Sequence, residues 1–171
     1  MDSPQMNIDP LLLRVALGQY ATGVAVVTTV DADGRPLGIT VNSFASVSLD
    51  PPLVLWSLGR KSASMPAFKA CSHFAVNVLA AEQVELSNRF AAAALDKFAH
   101  LEWTPGLGGA PLLHGCCAHF ECRNEARHAG GDHLIFVGRV EHFDREERPP
   151  LVFHGGRYCA RTELDNPGDS K

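Results

Sequence analysis

The sequence contains no basic block. Its 15 Lys and Arg stand against 19 Asp and Glu, a net charge of −4, and no clustering makes the footprint of a nucleic-acid or anionic-membrane binder. No apolar run approaches the ~18 residues of a spanning helix. The N-terminus lacks the Lys/Arg-then-apolar order of a signal peptide. There is no CxxC pair, and the 5 cysteines are an odd number, so reduced thiols in a cytoplasm are the economical reading. What remains is ordinary: 171 residues, 46% hydrophobic and 20% charged, which is one globular domain long enough to bury most of its unfolded surface.

Strand signals outnumber helix signals. After a flexible lead over residues 1–10, "DPLLLRVALGQYATG" reads as a short helix with Asp9 at the N-cap and Pro10 at the first position. Leu11, Leu12, Val15 and Leu17 supply its apolar side. "VAVVTTV" (24–30) and the turn "DADG" predict a hairpin into a strand over 37–49. "DPP" ends that strand, because two prolines cannot donate to a ladder. "LVLWSL" (53–58) reads as a strand buried on both faces. "SASMPAFKAC" (62–71) is a Ser-capped helix, "HFAVNVLA" (73–80) a strand and "AEQVELSNRFAAA" (81–93) an amphipathic helix. "TPGLGGAP" (104–111) is a loop, two long antiparallel strands flank Gly130–Gly131, and "LVFHGGRYCA" closes with a short strand or two before a polar tail over 162–171. Without a regular βαβ rhythm, this is a mainly β fold, a closed or partly closed antiparallel barrel with a few helices.

The strand over 37–49 has an unusual polar face. Thr40, Asn42, Phe44, Ser46 and Ser48 alternate with Ile39, Val41, Ser43, Ala45 and Val47, and no charged side chain occurs before Asp50. A solvated face would collect Lys or Glu. A dry one would be apolar, because an unpaired hydroxyl or amide costs ~1–3 kcal/mol when buried. Two readings fit: a wall that hydrogen-bonds a large polar ligand, or a Ser/Thr-rich edge strand. "SLGRKS" (57–62) offers hydroxyls, basic side chains and a helix start to a phosphate, though the same residues suit a capped helix with solvated cations. It is not a P-loop, since Leu55 stands where the first Gly would fall.

Other motifs carry less. "GLGGAP" (106–111) follows "WTP" and precedes no helix, so a dinucleotide fingerprint is rejected. Cys116, His119 and Cys122 are three apart on a strand and point to alternate faces, which argues against a shared metal. Asp132–His133 sets an imidazole beside a carboxylate where a hairpin begins. A His at a turn is ordinarily a surface residue, and its role depends on whether a ligand site opens nearby.

Taken in order, "TGVAVVTT", "GITVNSFASVSLDPPLVLWSL", "KSAS", "FAVNVL", "LSNRFA" and "GGDHLIFVGRV" resemble the flavin reductase family with the FMN-binding split-barrel fold. That family includes the reductase components of two-component flavin-dependent monooxygenases, and the resemblance spans residues 11–161. It implies a homodimer of six-stranded Greek-key barrels, binding FMN or FAD and using NADH or NADPH, with an oxygenase partner that receives reduced flavin. Thr40, Val41, Asn42 and Ser43 would line the isoalloxazine, with Ala45 and Ser46 near the ribityl chain. Ser57, Leu58, Lys61 and Ser62 would hold the phosphate, and Phe90 would close on the flavin. His133 would lie beside the nicotinamide, with Tyr158 as a neighbour. Hydride transfer needs stacked rings more than an acid–base triad, so the lack of a triad does not oppose an enzyme. The alternatives are a non-catalytic flavin- or haem-binding split barrel and an oxidase of the pyridoxamine-phosphate type.

Overall fold

The computed structural model describes residues 8–93 and 96–162. Apart from residues 8–10 and 162, the expected lead and tail lie outside the described residues. Helix α1 (Pro10–Leu17) begins as its sequence predicts: the Asp9 carboxylate accepts from the Leu11 N–H at 2.8 Å and the Leu12 N–H at 3.4 Å, and Pro10 has no N–H to leave unpaired. None of its residues is buried. Leu11, Leu12, Val15 and Leu17 are each at least 66% exposed, so the apolar side of α1 covers nothing among the described residues.

The strands are β1 (Thr22–Gly23), β2 (Ala25–Val30), β3 (Pro36–Val41), β4 (Ala45–Leu49), β5 (Pro52–Gly59), β6 (His73–Val78), β7 (Trp103–Pro105), β8 (Pro111–Leu113), β9 (Ala118–Gly130), β10 (His133–Arg145), β11 (Val152–His154) and β12 (Arg157–Cys159). Helix α2 (Met65–Ala70) precedes β6, α3 (Val84–Ala91) follows it, and a 3₁₀ turn (Leu107–Gly109) joins β7 to β8. The main sheet runs β3-β2-β6-β9-β10-β5-β4 with every pair antiparallel. Laid flat, its outer strands would stand about 29 Å apart. The four Cα steps from Val41 to Ala45 span at most about 14 Å, so the sheet must curl into a barrel.

That closure corrects the expected single strand over 37–49 and the six-strand count. The stretch breaks at residues 42–44 into β3 and β4, which occupy the two outer positions of a seven-stranded sheet. Ser43 turns the corner: its Oγ accepts from the Ser57 N–H at 2.9 Å and donates to the Ser57 carbonyl at 3.3 Å. Strand β5 differs from expectation too. Val54, Trp56 and Leu58 are buried, while Leu53, Leu55 and Ser57 between them are half-buried. "WTP" is itself a strand, but it hairpins into β8 and leads to no helix, so a dinucleotide loop remains excluded.

Two cores lie either side of the barrel wall. Inside, Trp56 stacks on Phe136 at 4.6 Å and meets the edges of Phe68 and Phe74. Outside, Val24, Val26, Leu79, Phe90, Phe98 and Leu151 pack beneath α3. Strand β2 serves both, which is why "VAVVT" is buried throughout. Buried Thr28, Thr29 and Asn77 of β2 and β6 are paired: the Asn77 amide donates to the Val26 carbonyl at 3.0 Å and accepts from the Leu113 N–H at 2.8 Å. The C-terminal "HGG" is a two-residue hairpin, with His154 opposite Arg157 and φ of +56° and +79° at Gly155 and Gly156, the left-handed pair that such a turn demands.

Candidate functional site

The barrel is split where β3 and β5 face each other. Strand β3 bonds only to β2, so alternate N–H and C=O groups on its other edge have no strand partner. Strand β5 loses its β4 neighbour after Leu55. Between them lies a cavity of about 240 Å³, walled by Ile39–Ser43 on one side and Ser57–Gly59 on the other, with His133 at its edge. The fold therefore brings Thr40, Val41, Asn42, Ser43, Ser57, Leu58 and His133 together. Among the described residues no carboxylate, ammonium or guanidinium lines this space. A flat heteroaromatic with donors and acceptors along one edge suits it, because backbone groups meet that edge and neutral walls meet the ring.

The hydroxyls are mostly engaged inside the protein. Thr40 Oγ1 donates to the Ser87 carbonyl of α3 at 2.7 Å, and Ser43 holds Ser57. It is thus the main-chain edge of β3, more than its side chains, that is offered to a ligand. Thr40, Val41 and Asn42 also border a cavity of about 220 Å³ on the α3 side, shared with Ser87, Phe153 and Tyr158. The Tyr158 hydroxyl lies 2.8 Å from Ser87 Oγ and donates to Asn88 Oδ1 at 3.0 Å.

His133 opens β10 directly opposite Gly59. Its Nδ1 lies 2.7 Å from Asp132 Oδ1, which leaves Nε2 as the free ring nitrogen. The bond to His133, reinforced by the charge of the imidazole, holds the Asp132 carboxyl below its ordinary range. Arg60 ties the turn down: its Nε donates to the Gly131 carbonyl and its backbone N–H to the Asp132 carbonyl, both at 2.9 Å. The imidazole is thereby fixed at the mouth of the split while its side chain stays 48% exposed.

The remaining expected residues are more scattered. Ser62 borders a third cavity of about 520 Å³ with Ser64, Pro36–Ile39, Lys97 and Phe98. Ser64 is the N-cap of α2 without a side-chain cap bond, and α2 has only six residues. An anion there would rely on hydroxyls and basic side chains, not on a capped helix end. Lys61 is exposed and acts on Asp132 through its charge. Ala45 and Ser46 are exposed on β4 and line none of the three cavities. Phe90 is fully buried, its ring against Phe98 at 5.0 Å and beneath Gly38, where a Cβ would come within 2.5 Å of it. It supports β3 from behind and does not border the split. Sequence reasoning missed Ile39, Gly59, Ser87 and Lys97. Only Gly59, a glycine ending a strand, carried any local signal.

Known proteins share this arrangement. Residues 17–162 match the family described as flavin reductase like domain. Over 145 residues the chain is 49% identical to FMN reductase (NADH) SmoA of Agrobacterium fabrum, covering 85% of this chain and 82% of that protein. HsaB of Rhodococcus jostii, the reductase subunit of a flavin-dependent monooxygenase, is 46% identical over 153 residues, 88% of this chain and 77% of that one. The solved structure of Streptomyces globisporus NADH:FAD oxidoreductase SgcE6 aligns with a TM-score of 0.86 at 38% identity, covering 98% of both chains. By fold, by sequence and by the extent of both matches, the chain belongs to the flavin reductase-like family.

Proposed function

We propose that the protein is an NAD(P)H:flavin oxidoreductase that binds FMN or FAD in the split between β3 and β5 and delivers reduced flavin to a partner monooxygenase. The observation that carries this reading is the neutral split itself, an unpaired strand edge facing Ser57–Gly59 with the Asp132–His133 pair at its mouth. When bound, the flavin would supply a ring able to take up a hydride from a nicotinamide held beside it. The chain's part is to position and to exclude. The backbone of Thr40–Ser43 would hold the ring edge and Ser57, Leu58, Lys61 and Ser62 the phosphate, while Ala45 and Ser46, exposed on β4, would meet the ribityl chain only outside the split. Phe90 acts from behind β3, by keeping the strand in place. His133, oriented by Asp132, would steady the nicotinamide, with Tyr158 on the α3 side of Thr40.

Several observations support the finer parts of this reading. The relatives named above are an NADH-dependent FMN reductase, a monooxygenase reductase subunit and an NADH:FAD oxidoreductase. A homodimer accounts for the bare leucines of α1 and for Tyr20, which is 80% exposed beside them. The cytoplasm suits five cysteines of which none is paired. The decisive experiment follows NADH and NADPH absorbance with purified protein and added FMN or FAD. Flavin-dependent consumption is expected. Flavin binding without consumption would leave a carrier, and oxygen uptake without NADH would point to an oxidase; either result overturns the proposal.

A further inference from the structure

The C-terminal hairpin of β11 and β12 reaches β3 through α3. At its base β11 pairs with β1, Thr22 opposite Phe153 and Gly23 opposite Val152. At its tip the Gly155 N–H donates to the Gly18 carbonyl, at the end of α1, at 2.8 Å. Between these points Phe153 and Tyr158 stand opposite each other, their rings 5.5 Å apart. They form one wall of the cavity of about 220 Å³ whose other wall is Thr40, Val41 and Asn42. The hairpin and β3 thus face each other across open space, and a helix has to join them.

The joint is Ser87 of α3, which is fully buried. Its N–H donates to the Gln83 carbonyl at 3.0 Å, and its own carbonyl accepts from Thr40 Oγ1 at 2.7 Å. Its hydroxyl lies 2.8 Å from that of Tyr158. The Tyr158 proton is committed to Asn88 Oδ1 at 3.0 Å, and a phenol has only one, so Ser87 is the donor of the pair. Hydrogen bonds therefore run from β12 to α3 and from α3 to Thr40, within the segment of β3 whose open edge walls the split. Tyr158 is also the acceptor that keeps the buried Ser87 hydroxyl from being stranded, a loss that proteins seldom tolerate without penalty.

We infer that Tyr158 is a positioning residue for flavin binding: acting through Ser87 on Thr40, it fixes the β3 edge that meets the ring. This rests on reading the split as the flavin-ring site. Main-chain hydrogen bonds weaken steeply with lost alignment, so an edge strand freed from its brace loses affinity for what it holds. One such bond corresponds to roughly three- to tenfold in Kd.

The test measures FMN affinity by fluorescence and Tm for wild type, Tyr158→Phe, Ser87→Ala and the double variant. Tyr158→Phe strands the Ser87 hydroxyl, so Tm should fall by about 2–12 °C and the Kd for FMN should rise about three- to tenfold. The double variant leaves no orphan hydroxyl, keeps the Ser87-position carbonyl that Thr40 uses, and frees only Asn88, which is exposed to water. Its Tm should return to within about 2 °C of wild type. Its Kd should stay raised, by no more than in either single variant, because one link can be broken only once. Affinity that recovers together with Tm would make Tyr158 merely structural and overturn the inference. So would an unchanged Kd in Ser87→Ala, which would make Tyr158 a direct ligand contact, since buried Ser87 acts only through its neighbours. A raised KM for NADH with unchanged FMN affinity in Tyr158→Phe would assign the hydroxyl to the dinucleotide and equally refute it. A wild-type protein that binds no FMN would instead refute the reading of the split.

Discussion

Gly38→Ala tests how closely the flavin groove depends on the packing behind it. Gly38 lies on β3 with an ordinary backbone, and what it lacks is room. An added Cβ would stand 2.5 and 2.7 Å from two carbons of the Phe90 ring and 3.4 Å from Phe98. Phe90 is fully buried and Phe98 nearly so, so neither ring can swing into solvent, and the strand or α3 must give way. Overpacking of this sort costs about 1–3 kcal/mol, which for a domain of this size lowers Tm by about 2–12 °C. Because Gly38 adjoins the Ile39–Ser43 wall of the split on the same strand, the same displacement should weaken FMN binding. Thermal melts and FMN titrations on Gly38→Ala, Phe90→Leu and the double variant measure both effects. The smaller ring-free side chain should accommodate the methyl, so the double variant should be more stable than the sum of the single changes predicts. Additive losses, or a Gly38→Ala variant within about 0.5 kcal/mol of wild type, would refute the steric argument.

Three further outcomes follow from the geometry. His133→Ala should raise the KM for the nicotinamide and slow flavin reduction while leaving Tm nearly unchanged, since the side chain is half exposed; stopped-flow reduction under anaerobic conditions checks it. Ser43→Ala removes the partner of the Ser57 N–H, so it should cost about 1–3 kcal/mol and lower flavin affinity by loosening the corner, read by denaturant melts and FMN titration. Burial pushes the Cys116 and Cys122 thiols up to about 12, so in the folded protein at pH 8 both should resist iodoacetamide while half-buried Cys71 and Cys159 are alkylated, as mass spectrometry of digests would show.

What could be read from the sequence was local. Asp9 and Pro10 announce α1, Gly130–Gly131 announces the turn between β9 and β10, and paired glycines announce the hairpin at residues 154–157, because caps and turns are decided within a few residues. The corner at 42–44 was not legible. It contains neither Gly nor Pro, and it bends because barrel closure demands it, with Ser43 finding its partner 14 residues away. The setting of Phe90 was not legible for a related reason: an aromatic on an amphipathic helix does not say whether its ring faces a ligand or the back of a strand. Lys97 gave no signal at all, since its second carbonyl lies 59 residues distant on Gly38. The uncharged run over 38–49 is the instructive case. Its hydroxyls suggested a polar wall, yet Thr40 is engaged by α3 and Ser43 by β5. Those two hydroxyls hold the strand to its neighbours, while Asn42, Ala45, Ser46, Val47 and Leu49 of the same run are exposed. The neutral hydroxyls of Thr40 and Ser43 thus fix β3 and its corner in place, and the main chain of the unpaired β3 edge is the group left to meet the ligand.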